Sequence, residues 1–255
     1  MNSEHTFAKT VDRLRVARHV VIFTGAGISA QSGIATFRDQ STGLWSRYDP
    51  QQLATPAAFR RDPGLVWGWY AWRRTLVGNA QPNDGHLAVA KLREFLPCVT
   101  LITQNVDDLH ERAGCKDVIH LHGNIACARC FACNRPYPNE LPANMEPGGG
   151  RQEPPRCLHC GGRVRPDVVW FGESLPDGEL RRAYRAAREC DVLLSIGTSG
   201  HVYPAAHIPE LASKHGAWVV HINIEPNDVS PDDTLVGLAS QWLMELVEAL
   251  GIGAP

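Results

Sequence analysis

Gly25-Ala-Gly-Ile-Ser-Ala-Gln-Ser-Gly-Ile-Ala-Thr-Phe-Arg38 decides the fold. It follows Val20 to Phe23, a short apolar run that reads as a buried parallel strand. A strand running straight into Gly-x-Gly and then a helix opens a dinucleotide-binding unit. The glycines let the backbone approach a pyrophosphate, and the helix N-terminus offers free N–H groups and a positive dipole end. The residues after Gly27 depart from the usual dinucleotide pattern.

Working outward, further strand candidates rich in β-branched residues lie at 98–103, 118–121, 191–196 and 217–223, with the first at 19–24. Helical patterns fall between them at 84–96, 106–113 and 178–190. That alternation predicts an α/β fold, a Rossmann-like doubly wound parallel sheet. Two stretches break the rhythm and read as insertions. Residues 40–80 hold three prolines and the aromatic helix-like run Trp67-Gly-Trp-Tyr-Ala-Trp-Arg-Arg74, and 124–165 hold five cysteines and a Pro/Gly-rich centre. The expected division is therefore 1–39, 81–123 and 166–255 for the nucleotide-binding domain. A cofactor loop and helical insertion occupy 40–80, and a small zinc-ribbon-like lobe occupies 124–165.

The chain has 255 residues, 44% hydrophobic, with a net charge of −2. Nothing in that balance asks for nucleic acid or an anionic membrane as partner. The arginines at 181, 182, 185 and 188 read as a solvated helix face. Arg13, Arg15 and Arg18 precede only a short apolar run, too short for a signal peptide or a membrane span. A cytoplasmic, reducing location is expected, where the eight cysteines stay free of structural disulfides.

Cys127-x-x-Cys130 and Cys157-x-x-Cys160 have the spacing of a metal site. Two thiolates of one tight turn reach the same ion, and two such turns complete a tetrahedron suited to Zn²⁺. Cys130-x-x-Cys133 has the same spacing; the first pair is preferred because it comes first after the core strand and helix signals end. Four thiolates leave no open coordination position, so the zinc is structural. Cys98, Cys115 and Cys190 read as buried small residues.

Polar residues cluster at strand ends, where such sheets bind ligands. Thr103-Gln-Asn-Val-Asp-Asp-Leu-His110 follows one strand, and Asn105 and Asp107 are its candidate functional pair, with helix capping by Asp107 as the plainer alternative. His120-Leu-His122-Gly123 ends the next; alternation puts both histidines on one face, and either could serve as a general base near neutral pH. Ser195-Ile-Gly-Thr-Ser199 and His221-Ile-Asn-Ile-Glu225 close two more strands with groups suited to phosphate or ribose.

Taken in order, GAGISAQSGIATFR, TQNVDDLH, HLHG, the CxxC pairs, RPDVVWFGE, GTS and NIEP resemble the sirtuins, NAD⁺-dependent protein-lysine deacylases. The resemblance runs over about residues 10–250. It implies that Gly25, Ala26 and Gly27 line the NAD pyrophosphate, with Ala30, Phe37 and Arg38 on a mobile cofactor loop. Gln104, Asn105, Val106 and Asp107 would hold the nicotinamide and its ribose, and His122 would be the general base. Gly197, Thr198 and Ser199, then Asn223, Ile224 and Glu225, would bind the adenosine half, with Ala239 against the adenine. Val168, Phe171 and Gly172 belong to a segment resembling the one that pairs with the substrate backbone.

The implied reaction consumes NAD⁺. The acyl-lysine carbonyl oxygen attacks the ribose carbon and nicotinamide leaves; His122 then deprotonates a ribose hydroxyl, which attacks the acyl carbon. Free lysine and O-acyl-ADP-ribose result. Tyr70 and Arg73, one helical turn apart, match the desuccinylase and demalonylase branch, as does Leu53-Ala54-Thr55-Pro56, whose small Ala54 leaves room for a longer acyl chain. The partners implied are acylated lysine side chains of proteins. Alternatives are a plain deacetylase, a sirtuin-fold ADP-ribosyltransferase or NAD hydrolase, and a non-catalytic NAD⁺-sensing module.

Overall fold

The computed structural model of the chain describes residues 3–35, 53–139, 141, 150–226 and 233–252. Helix α1 (Ser3–Val16) leads into β1 (Val20–Thr24), and the glycine run then forms two short 3₁₀ turns, Ala26–Ile28 and Ala30–Ser32. The expected helix after Gly25 is thus replaced by tighter turns. Helices α2 (Pro56–Arg61), α3 (Pro63–Asn79) and α4 (Asp84–Phe95) precede β2 (Val99–Thr103). Short α5 (Leu109–Arg112) precedes β3 (Ile119–His120). Strands β4 (Gly123–Cys130) and β5 (Val164–Val168) come next, followed by α6 (Asp177–Glu189) and β6 (Val192–Ile196). Helix α7 (His207–Lys214), β7 (Trp218–Asn223), β8 (Thr234–Val236) and α8 (Ala239–Ala249) complete the order.

Six strands form one sheet in the order β3-β2-β1-β6-β7-β8, and every pairing in it is parallel. Strand β1 is central and buried at all five positions, as a strand covered on both faces must be. One face is covered by α1, α4 and α8, through residues such as Leu14, Leu92 and Leu243; the other is covered by α6 and α7, through Ala183, Ala187 and Ile208. Strand order reverses between β1 and β6. That switch point opens a crevice at the carboxyl ends of the strands, where α/β sheets bind ligands. Edge strand β8, too short to stand out in the sequence, completes the sheet.

Strands β4 and β5 form a separate antiparallel pair with a bulge between Asn124 and Ala128. Beside it, α2 and α3 start on strong caps. Thr55 Oγ1 accepts from the Ala58 N–H at 3.0 Å, and Asp62 Oδ1 from the Leu65 N–H at 3.1 Å, each followed by proline at the first helical position. The aromatic run lies within α3 and buries Trp67, Trp69 and Tyr70. Gly64 and Gly68 let the chain at 150–152 lie directly on α3: the Gln152 N–H donates to the Gly64 carbonyl at 3.0 Å, and a Cβ at Gly68 would sit 1.8 Å from the Gly150 oxygen. Arg151 clasps the Asp62 cap at 2.6 Å. Cys115 and Cys190 are buried as expected, whereas Cys98, just ahead of β2, is exposed. Among the described residues no helix is long and apolar enough to cross a membrane.

Candidate active site

The floor of the crevice is a contact between two glycine turns. The Gly25 N–H donates to Ile196 O and the Gly27 N–H to Gly197 O, each at 2.9 Å. A Cβ at Gly27 would lie 2.6 Å from Gly197 Cα, and one at Gly197 2.6 Å from the Ile28 nitrogen. Gly197 also sits at φ +59°, where a side chain is strained. Three residues without side chains therefore bring β1 and β6 together and leave backbone at the surface of the crevice. Ala26 and Ala30 begin the two 3₁₀ turns, and Ala30 is exposed. Phe37 and Arg38 lie outside the described residues.

The loop after β2 supplies the next wall. Residues 104–108 are not helical, and α5 begins only at Leu109. Ser29, which the sequence reading did not single out, is the hub that fixes this loop. Its hydroxyl donates to Asp107 Oδ2 at 3.0 Å and accepts from Asn105 Nδ2 at 3.1 Å. His86 Nε2 approaches it at 3.4 Å, and the Asn83 N–H on Nδ1 fixes the tautomer that turns Nε2–H toward Ser29. Burial takes His86 down to about 4, so it is neutral. Asn105 and Asp107 are buried, Gln104 and Val106 half-buried. Burial pushes the Asp107 carboxyl up, against the pull of the Leu109 N–H and the Ser29 hydroxyl. Asp107 accepts the Leu109 N–H at 3.2 Å, two residues on, while the N-cap position of α5 itself is Asp108.

His122 follows β3, and its Nδ1 lies 2.8 Å from the Gln104 carbonyl. A carbonyl can only accept, so Nδ1 carries the proton and Nε2 keeps its lone pair. Burial lowers the imidazole pKa from the ordinary 6.5, with the Gln104 contact opposing. On the far side of the crevice, Thr198 is buried and Ser199 exposed, and Asn223 Nδ2 donates to the Thr198 carbonyl at 3.0 Å. Ile224 and Glu225 are exposed beyond β7, and Ala239 is buried at the start of α8.

Tyr70, Ala54, Val168 and Trp170 share one buried cluster. The Trp170 indole N–H donates to the Tyr70 hydroxyl at 3.0 Å, and the Phe171 N–H donates to the Ala54 carbonyl at 2.9 Å. Arg73 lies over the Trp69 ring at 4.9 Å and 5.8 Å from the Tyr70 ring centre. Burial raises the Tyr70 pKa and lowers that of Arg73, the second shift being partly opposed by Tyr70 and Asp107. Phe171 and Gly172 are exposed. Behind them Arg165 stacks 3.4 Å over Trp170 and pairs with Glu173, which also takes the Trp170 N–H at 2.8 Å. The sequence signal for that brace was only Arg165 and Glu173 flanking an aromatic pair.

A Sir2 family model matches residues 25–204. The chain is 58% identical over 240 residues, 93% of its length and 96% of the relative's, to NAD-dependent protein deacylase 1 of Pseudomonas aeruginosa. It is 51% identical to NAD-dependent protein deacylase 2 of Pyrobaculum aerophilum, covering 93% of both chains. The chain belongs to the Sir2 family. The solved structure of a Sir2 homologue bound to NAD superposes with a TM-score of 0.85 at 44% identity, covering 96% of this chain and 93% of that one. This Sir2 protein is accordingly an NAD-dependent protein deacylase.

The cysteine site of this Sir2 protein differs from the expected one. The sulfurs that converge, all within 4.8 Å of one another, are those of Cys130, Cys133, Cys157 and Cys160. Cys127 is excluded: it lies in the β4 bulge and is exposed. Cys130 ends the strand, and the following turn folds back so that the N–H groups of Ala132 and Cys133 approach its sulfur at 3.3 and 3.4 Å. The turn therefore joins Cys130 to Cys133. Sulfur separations of 3.5 Å (Cys130–Cys160) and 3.8 Å (Cys133–Cys157) match the roughly 3.8 Å edge of a tetrahedron of ~2.3 Å Zn–S bonds. N–H groups of Cys160 and His159 pull the Cys157 thiol down to about 6, while against the Gly162 N–H the neighbouring sulfurs push Cys160 up to about 12, so of these two Cys157 becomes a thiolate first. The donor set fits a closed structural Zn²⁺. Metal analysis of single Cys→Ser variants tests the assignment. Cys127→Ser should retain about one zinc per chain, and Cys133→Ser should lose it and melt at lower temperature. Zinc loss from Cys127→Ser alone would contradict it.

Proposed function

We propose that this deacylase acts on acidic acyl-lysines, removing succinyl and malonyl groups and, more weakly, acetyl groups. The observation that carries the reading is the Tyr70–Arg73 pair on one face of α3, beside Ala54 and Trp170. Since the Tyr70 oxygen already accepts the Trp170 indole N–H, its own hydrogen is directed elsewhere. Burial keeps that hydroxyl protonated, and the guanidinium remains charged at neutral pH. A terminal carboxylate would receive the Arg73 fork and the Tyr70 hydroxyl in a sheltered setting, where charge-assisted bonds are strong.

In the same reading Gly25, Ala26 and Gly27 cradle the pyrophosphate, Ala30 lies on the cofactor loop, and Gly197 begins the turn that receives the adenosine half. Gln104, Asn105, Val106 and Asp107 hold the nicotinamide ribose. Thr198, Ser199, Asn223, Ile224, Glu225 and Ala239 receive the adenosine half. Val168, Phe171 and Gly172 present the peptide-binding segment. His122 Nε2 takes the proton of a ribose hydroxyl, which then attacks the acyl carbon; Asn105 positions the leaving side of the ribose.

Losing the clamp should cost about 1.5–3 kcal/mol, so Arg73→Met should lower kcat/KM for a succinyl-lysine peptide roughly ten- to a hundred-fold. The acetyl-lysine value should change little; equal losses on the two peptides would remove the carboxylate clamp. A second test is the pH profile. The pKa of His122 is lowered, so the base is neutral above it and activity fades only as pH falls through it. The acid limb of kcat/KM should therefore lie below the ordinary histidine value of 6.5. A limb above that value would argue against this base.

A further inference from the structure

His120 and His122 perform parallel tasks on successive carbonyls. His122 Nδ1 lies 2.8 Å from Gln104 O, and His120 Nδ1 lies 3.2 Å from Asn105 O. The far nitrogens differ. His120 Nε2 sits 2.6 Å from Glu111 Oε1, a contact with no counterpart in the role proposed for His122. A carbonyl oxygen and a carboxylate both only accept. One ring can satisfy both only with a proton on each nitrogen, that is, as an imidazolium.

The contact completes the fixation of Asn105. Its N–H donates to Thr103 Oγ1 at 3.0 Å and its side-chain amide to Ser29 at 3.1 Å, and its carbonyl is met by His120. We propose that His120, paired with Glu111, is a positioning residue that staples the Asn105 loop as an imidazolium and thereby ties NAD⁺ affinity to pH. This rests on the reading of that loop as the holder of the nicotinamide ribose.

The surroundings support the charged form. The side chains of His120 and Glu111 are 14% and 37% exposed, so solvent screens the pair only in part. Burial opposes the charge on His120, but the Glu111 bond and charge outweigh it, helped by the Asn105 carbonyl and Asp107, and its pKa is raised. Glu111 is likewise lowered by His120 against its own burial. His110 on α5, a further titratable neighbour of His120, is held neutral chiefly by burial. Helix α6, packed against β3, contributes Ala183, Ala186 and Ala187 to the cluster that holds Ile119 and Leu121. A raised histidine pKa means that the staple is present at low pH and is lost as pH rises through that pKa.

The full-length zinc-loaded protein provides the test. Ring-nitrogen NMR of ¹⁵N-histidine should give His120 a pKa above 6.5 in the wild type, falling by about one unit in Glu111→Gln. In that variant the KM for NAD⁺ at about pH 8 should rise roughly three- to tenfold with kcat within about twofold, and should return toward wild type near pH 6. His120→Asn, which can still donate but does not titrate, should show a KM without this pH dependence. An unmoved His120 pKa in Glu111→Gln, an equal KM rise at both pH values, or a parallel fall of kcat would overturn the staple. A wild-type protein that neither binds NAD⁺ nor releases nicotinamide would instead overturn the reading of the site, while the NMR titration would still judge the His120–Glu111 pair.

Discussion

The near-contact of two backbone turns at the centre of the sheet is the constraint on which the site depends. With Cβ atoms at Gly27 or Gly197, the ends of β1 and β6 could not approach as they do. The sheet would then lose the switch-point crevice in its present shape. Because those residues carry no side chains, the surface offered to a ligand there is backbone. That suits a phosphate, which is recognised by N–H groups and not by a particular side chain. The buried β-branched core of β1 makes this approach rigid, since a close-packed interior resists small shifts.

Around that fixed floor, polar groups are held by one another. Ser29 joins Asn105, Asp107 and His86; Thr103 holds the Asn105 N–H; the loop carbonyls meet His122 and His120. Such a network places side chains before any ligand arrives, so little ordering remains at binding. The proposed acyl side is built differently, from aromatic packing on α3 and the end of β5, with Arg165 and Glu173 as a brace. The chain at 150–152, seated on Gly64 and Gly68 and clasped to Asp62, ties the cysteine-bearing segment to the helix that carries Tyr70 and Arg73.

Much of this was legible in the residues. Five core strands announced themselves because parallel strands buried on both faces read as apolar runs. The strand-end polar turns followed from their position in that sheet. What escaped has physical reasons. Local spacing cannot choose between overlapping CxxC pairs, and only the end of β4 at Cys130 decides that the turn joins Cys130 to Cys133. A helix over 106–113 was expected from an apolar pattern, but residues 104–108 are held in a loop by the Thr103 hydroxyl two residues before Asn105 and by long-range bonds to Ser29 that no local signal encodes. Strand β8 is three residues long and carries too little pattern to be seen. The roles of Ser29 and His86 arise from contacts between segments more than fifty residues apart.

As proposed above, this crevice breaks NAD⁺ and passes the acyl group to its ribose with His122 as base. Mass spectrometry of the products from NAD⁺ and a succinyl-lysine peptide tests it most directly. The wild type should form O-succinyl-ADP-ribose in step with nicotinamide, and His122→Ala should form neither product at a comparable rate. Free ADP-ribose without acyl transfer, or full O-succinyl-ADP-ribose formation by His122→Ala, would contradict it.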